Sequence, residues 1–491
     1  MSRSHRAGAA VFAALAIVAG CRRATADADV LSLRIGVAAP VLRESGTVGL
    51  SYTRTALSRE NLLTFSDNGR PTPRVLDAWH REPDGRTWRL HVRPGILFHD
   101  GTPVTAPEIA PQIAEELAVS APGIVKSVTA ENEATLVVSL HGPYAFLLEE
   151  LAFISVRRVV GNKTFGTGPY TVVEESPERI LFSAVEDHYR GEPDVKQVEV
   201  KLYPDQRNAW SALMRGDLEM LYEVSRDSLE FARSESSIDV ATFPRPYVYL
   251  LGLNVRHAAL SNRLVRQALD RAVDREAIVR LGMAGQGEPA AGHVWPRHWA
   301  FDAAKTAPAY NPLEAVRLFE QAGLTVRREP GRMPSRLRLR CLVYGPQRQM
   351  ALVLQRQLAE VDVDLELQMP DTRQMLARLL KGDFDAFVFE VASARLLKLP
   401  YMAWHSRSAL IPSGYSGADD VLQQMHDAAD DDVLKAVTSV FQQRVHEDPP
   451  AIFLAWGSTS RAVTRRFDIP QTSEDIFHTI SRWKRATGST N

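Results

Sequence analysis

The chain has 491 residues, 45% of them hydrophobic and 24% charged, which is the balance of a globular protein and excludes a disordered chain or a polytopic membrane protein. With 58 basic and 59 acidic residues the formal net charge is −1, so no charge excess draws the chain to nucleic acid or acidic lipid. At about 150 residues per domain, the length predicts two to four units or one large two-lobed body.

Arg3, His5 and Arg6 precede an apolar run from Ala9 to Ala19. The run is too short to span a ~30 Å hydrocarbon core but suits the apolar centre of an export signal. It closes on Val18-Ala19-Gly20-Cys21, which resembles the bacterial lipobox, where the cysteine is lipidated and becomes the new N-terminus. The alternatives are an ordinary signal peptide or a short buried helix. The expectation is a lipoprotein signal peptide over 1–21, a tether over 22–29, and a membrane anchor on Cys21. This would place the body in the periplasm or on the outer face of the cell envelope. Cys341 would then be the one free thiol, with no disulfide and no cysteine-rich metal site, and would be buried in a strand.

The first strand is predicted over Leu31 to Val37. Asp84-Gly85 signals a turn, and Thr87 to Arg93 alternates strictly, with Trp88, Leu90 and Val92 inward. Thr135 to Leu140 reads as a further strand. Ser261 is the expected cap of a helix whose face carries Leu264, Val265, Ala268, Leu269 and Ala272. Asn311-Pro312 starts another helix, which Gly323 ends. Then strands at 337–343, 361–367 and 384–391 alternate with helices at 347–359 and 372–381. This rhythm predicts a parallel or mixed sheet covered by helices. The first half is therefore β-rich α+β and the second α/β, and a cleft between two lobes is the natural ligand site.

The stretch from Trp79 to Asp100 (WHREPDGRTWRLHVRPGILFHD), followed by Gly101-Thr102-Pro103-Val104-Thr105-Ala106, resembles the signature of the family 5 extracellular solute-binding proteins. These are the oligopeptide-, dipeptide- and nickel-binding receptors of ABC transporters. Gly166-Thr167-Gly168-Pro169-Tyr170, Tyr189-Arg190-Gly191-Glu192-Pro193, Val265-Arg266-Gln267-Ala268-Leu269, Tyr310-Asn311-Pro312 and Gly382-Asp383-Phe384-Asp385 resemble further family elements in the family's order. The resemblance covers about 30–480. It implies an α/β, two-lobed periplasmic-binding-protein-like fold (type II, cluster C) with mixed sheets covered by helices. Lobe 1 would hold 30–246 with a β-rich subdomain at about 52–165, lobe 2 would hold 252–455, and 458–491 would return to lobe 1.

Peptide-binding members carry a W-x-x-D-x-x-D-P-like stretch after the G-D-F-D element, with an acid that pairs the peptide amine. Here the run is Phe389-Glu390-Val391-Ala392-Ser393-Ala394-Arg395-Leu396, without that Asp or Asp-Pro. Glu390 or Arg395 would supply the charge instead. The other ligand-binding candidates are Tyr247, Tyr249, Asn254, Trp404 and Trp456, aromatic or amide groups near the expected hinge. Each also has a plain reading as core, and Asn254 as a holder of hinge backbone. His91, His99 and His141 read as surface or turn residues, and no histidine spacing predicts a metal.

No G-x-S-x-G, H-E-x-x-H or phosphate-loop motif is present, so the chain does not read as an enzyme and no cofactor is expected. The resemblance implies a monomeric receptor. It would capture a peptide-like or other small solute and deliver it to an ABC permease with separate ATPase subunits. The alternative is a sensory or scaffolding lipoprotein that kept the fold without transport.

Overall fold

The computed structural model describes residues 30–38, 50–328, 330–331, 334–393, 395–407, 410–473 and 475–487. The signal segment, the 22–29 tether and Cys21 lie outside the described residues. Among the described residues no helix is long and apolar enough to cross a membrane.

One 11-stranded mixed sheet runs through the molecule. Its path is Tyr170–Ser176, Arg179–Ala184, Gln197–Tyr203, Ser32–Ala38, Met220–Leu221, Ala451–Thr464, Ile238–Leu253, Ala386–Ala392, Leu337–Val343 and Val363–Gln368, with Gly287–Pro289 on the edge of Ala451–Thr464. Two long strands join the two ends. Ile238–Leu253 and Ala451–Thr464 pair antiparallel with each other. The end of Ala451–Thr464 pairs with the early strand Met220–Leu221, and the end of Ile238–Leu253 pairs with Ala386–Ala392. Strand–helix–strand units with parallel pairing build the far end, as the alternation of 337–392 predicts.

Local signals set most boundaries. Asn311 caps the Pro312–Gln321 helix through its side chain, and Asp371 caps Thr372–Lys381. Ser261 does not cap the next helix. Its hydroxyl turns back to the Ala258 carbonyl, and Asn262 caps Arg263–Arg271 by accepting from the Leu264 N–H at 2.9 Å. Cys341 is fully buried in Leu337–Val343, and burial pushes its thiol pKa well up.

A separate four-stranded sheet, in the order Leu76–Arg81, Thr87–Val92, Thr135–Leu140, Val125–Ala130, carries the alternation read at Trp88, Leu90 and Val92. The Ala106–Ser120 helix packs on it. Through the chain this unit is inserted between early strands of the large sheet. By packing, its buried side chains, Leu62 to Val156, form one continuous core with residues from 248 to 456. The early strands keep a core of their own around Leu33, Ile35, Phe182 and Trp483.

Two stretches of the family resemblance meet at the base of this unit. The His99 N–H donates to the Gly166 carbonyl at 2.9 Å, and His99 Nε2 lies 2.9 Å from the Gly168 carbonyl oxygen. His99 is a half-buried turn residue, and burial lowers its pKa. His91 and His141 are exposed. Gly166 lies so close to the Ser51–Ser58 helix that an added Cβ would come within 1.9 Å of the Ser58 oxygen.

Candidate functional site

The place where the two long strands pass from one lobe to the other is irregular. Pro244 pairs with Ser458 and Val248 with Trp456, so residues 245–247 stand opposite Gly457 alone. Such a bulge bends the strand and re-aims side chains. Gly457 fits because any Cβ there would meet the Tyr249 ring at 2.8 Å.

The bulge brings a compact polar cluster together. Arg245 donates from Nη1 to Glu390 Oε2 at 3.2 Å and from Nη2 to Oε1 at 3.4 Å. Its guanidinium also lies 4.9 Å from the centre of the Tyr247 ring. Arg226 Nη2 donates to the Tyr249 hydroxyl at 3.1 Å, and the Gln286 amide reaches the Arg226 carbonyl at 3.5 Å. Burial disfavours the Arg245 cation, but Glu390 beside it outweighs this and raises its pKa above the ordinary arginine value. Burial, and then Glu390, push the Tyr249 hydroxyl pKa up. Arg245 keeps about a fifth of its side chain exposed, and Tyr247 is half-buried.

A second aromatic group comes from the Ser51–Ser58 helix and the C-terminal segment. The Tyr52 hydroxyl lies 3.1 Å from His478 Nε2 and its ring stacks on Phe477. Desolvation of the hydroxyl, then Tyr222 and Asp475, raise the Tyr52 hydroxyl pKa. Behind them Arg461 forms an ion pair with Asp475 and sits 3.8 Å over the Tyr222 ring.

The structure separates the seven sequence candidates into four groups. Tyr247, Tyr249 and Glu390 share one face of the sheet, since Tyr249 and Glu390 are directly opposed and 247 and 249 follow the period-two rule. Trp456 is opposed to Val248 and so faces the other way. It shares that side with Trp404 in the core that includes the small sheet. Both tryptophans are 1% exposed. Trp404 Nε1 donates to His293 Nδ1 at 2.7 Å, and His293 Nε2 lies 3.2 Å from the Ala392 carbonyl oxygen. Arg395 lies beyond the end of the Ala386–Ala392 strand at φ +66°, with its guanidinium 5.7 Å from the Trp295 ring centre.

Asn254 stands apart at the end of the crossing strand. Its Nδ2 donates to the Phe384 carbonyl at 2.8 Å, and its Oδ1 accepts from the Arg256 N–H at 3.2 Å. It ties backbone together. Sequence reasoning missed Arg226, Arg245 and Tyr52. A charged residue between two prolines, Pro244-Arg245-Pro246, inside a strand was the available signal for Arg245.

Among the described residues no three His, Cys, Asp or Glu side chains converge to hold a metal ion. The model of the bacterial extracellular solute-binding proteins, family 5 (middle part), matches residues 70–409.

The chain belongs to this family.

Within family 5, it is 26% identical over 335 residues to a protein named as a probable D,D-dipeptide-binding periplasmic protein of Escherichia coli, covering 63% of each chain. The chain thus spans a little under two thirds of that relative's length. It is 24% identical to the nickel-binding periplasmic protein of the same organism, over 66% of this chain and 68% of the relative. It is 23% identical to an oligopeptide-binding protein of Bacillus subtilis, over 78% of each.

Two solved structures show the same fold. The Bacillus subtilis oligopeptide-binding protein AppA, in complex with a nonapeptide, superposes with a TM-score of 0.74 at 18% identity, over 94% of this chain and 100% of the other. NikA of Brucella suis, in complex with Fe(III)-EDTA, gives 0.79 at 18% identity, over 92% and 100%. The fold is therefore the two-lobed α/β binding-protein fold.

Proposed function

We propose that the chain is the solute-capturing lipoprotein of an ABC importer, held at the envelope membrane through Cys21, and that it closes its two lobes on a peptide-like or other small solute for delivery to a permease. Family membership supports this reading, and one observation carries it to a site. Where two long strands run through both lobes, a bulge presents Arg245 and Tyr247 beside Glu390, Tyr249 and Arg226.

A solute that touches both walls favours the closed arrangement by its differential affinity for it. A 100-fold preference contributes about 2.7 kcal/mol, enough to turn a mostly open receptor mostly closed. Glu390 is already neutralised by Arg245, so a free amine would have to displace a guanidinium to reach it. The site therefore suits a solute whose carboxylate or carbonyl oxygens meet Arg226 and Arg245 and whose flat parts lie against Tyr52 and Tyr247. The energetic work belongs to a separate ATPase.

Native mass spectrometry of gently purified protein tests this by a co-purifying small molecule. A thermal-shift panel of peptides, amino-acid conjugates and metal chelates follows. Arg245→Ala, Tyr247→Ala and Glu390→Ala should each reduce the ligand-induced shift. If the shift survives all three, the solute binds elsewhere.

A further inference from the structure

The small sheet reaches the second lobe through a short helix, Leu147–Leu151, that carries two adjacent buried acids. Glu149 and Glu150 are 9% and 5% exposed. They do different work. Glu150 Oε1 accepts from the Tyr144 hydroxyl at 2.6 Å and pairs with the Lys398 ammonium at 2.5 Å. Glu149 is turned to backbone: its Oε1 accepts from the Leu397 N–H and its Oε2 from the Lys398 N–H, both at 2.9 Å.

Those two N–H groups open the Lys398–Trp404 helix, which has no side-chain cap of its own. The first N–H groups of a helix have no intrahelical acceptor, so a bidentate carboxylate there satisfies two of them and meets the positive end of the helix dipole. The cap comes from a residue about 250 positions away, on another structural unit.

The cap holds a turn as well as a helix. Immediately before the helix lies the turn that leaves the Ala386–Ala392 strand, closed by the Leu396 N–H on the Ser393 carbonyl at 3.2 Å. Arg395 sits in that turn in the left-handed region, a conformation unfavourable for an arginine unless its surroundings impose it. One end of the turn is fixed by Ser393, whose hydroxyl bonds the His293 carbonyl. Glu149 fixes the other. The seat is closed around it by the Ala145 N–H on the His426 carbonyl at 2.8 Å, by Lys398 Nζ on the Ser120 carbonyl at 2.9 Å, and by His426 against the Tyr144 ring at 4.9 Å.

We propose that Glu149 is an inter-unit latch: by capping the Lys398–Trp404 helix from the neighbouring small-sheet unit, it holds the turn that Leu396 closes on Ser393, with Arg395 in it, so that this turn keeps its form only while that unit is seated.

The seat also has a proton balance. Burial, partly opposed by the Leu397 and Lys398 N–H groups, pushes the Glu149 carboxyl up to about 7. The groups facing it are Glu150 on its own helix, Lys398 on the capped helix, and Tyr144, Tyr401 and His426 around the rim. An unseated Glu149 in water titrates near ~4.3. The seated form thus keeps a proton that the unseated form releases. Seating is fully favoured below that lower value and weakens as pH rises through 7.

Hydrogen exchange followed by mass spectrometry on the full chain, without solute, reads the seat directly. Glu149→Ala should speed exchange at Leu397 and Lys398 at least tenfold while the Thr135–Leu140 strand stays protected. Glu149→Gln, which keeps one acceptor, should fall between. In the wild type, protection at Leu397 and Lys398, corrected for intrinsic rates, should fall between pH 5.5 and 8, and this dependence should vanish in Glu149→Gln. Unchanged protection in Glu149→Ala, parallel loss of protection in Thr135–Leu140, or a pH dependence that persists in Glu149→Gln would each overturn the proposal.

Discussion

Arg245 and Glu390 form a two-pronged ion pair across neighbouring strands at the point where the sheet passes between lobes. Arg245 comes from the bulge and Glu390 from the strand that the bulge leaves paired at Tyr249. Removing one partner of a buried pair leaves the other charge poorly compensated, at a cost of about 3 kcal/mol. Glu390→Leu or Arg245→Met alone should lower unfolding stability by about that much. The double change should lose less than either single one, because no lone charge remains. Chemical denaturation of the three variants checks this, and additive losses would show that the two side chains act independently.

His293 is fully buried and its tautomer is set by its partners. Nδ1 accepts from the Trp404 indole, so the proton sits on Nε2 toward the Ala392 carbonyl. A second proton would face the indole N–H, and burial lowers the pKa to about 4. The unfolded chain titrates near ~6.5. Stability is therefore present above pH 6.5 and declines as pH falls toward 4, by about 3 kcal/mol for this group. Unfolding free energy measured from pH 7 to 4 should show the loss, and His293→Gln should flatten it.

Gly166 sits where no side chain fits, because the Cβ of an alanine would press on the Ser58 carbonyl at 1.9 Å. Gly166→Ala should push the Ser51–Ser58 helix from its seat and cost about 3 kcal/mol, the upper end for overpacking. It should also move Tyr52, which begins that helix beside His478. A lowered melting temperature together with weaker solute binding is the expected pair of outcomes; an unchanged melting temperature would contradict the close approach.

The lipid anchor depends on one thiol. Cys21→Ser should release the body from the membrane fraction into the soluble fraction on cell fractionation, while solute binding stays intact. A chain that remains at the membrane after this change would be held there by something other than an acylated Cys21.

Much of the architecture was readable because it is local. Asn311-Pro312 started a helix, Thr135 to Leu140 alternated as a strand, and the sequence from Trp79 to Ala106 carried the family signature. The helix at Ala106–Ser120 was not read, since Pro111 lies within it and no side chain caps it. The side-chain arrangement was only partly readable. Tyr247, Tyr249 and Glu390 do gather on one face, whereas the tryptophans chosen for the same reason lie behind the sheet.

The amino-acid order alone thus determined the elements, their turns and the kinship of the chain, because caps, alternation and breakers act over a few residues. Tertiary structure alone decided that Arg245 neutralises Glu390, that Tyr249 and Trp456 face opposite ways, and that Glu149 caps a helix in another unit. Period two says which residues of one strand share a face. It cannot say which strand lies alongside, where a bulge shifts the register, or which lobe a distant acid will meet.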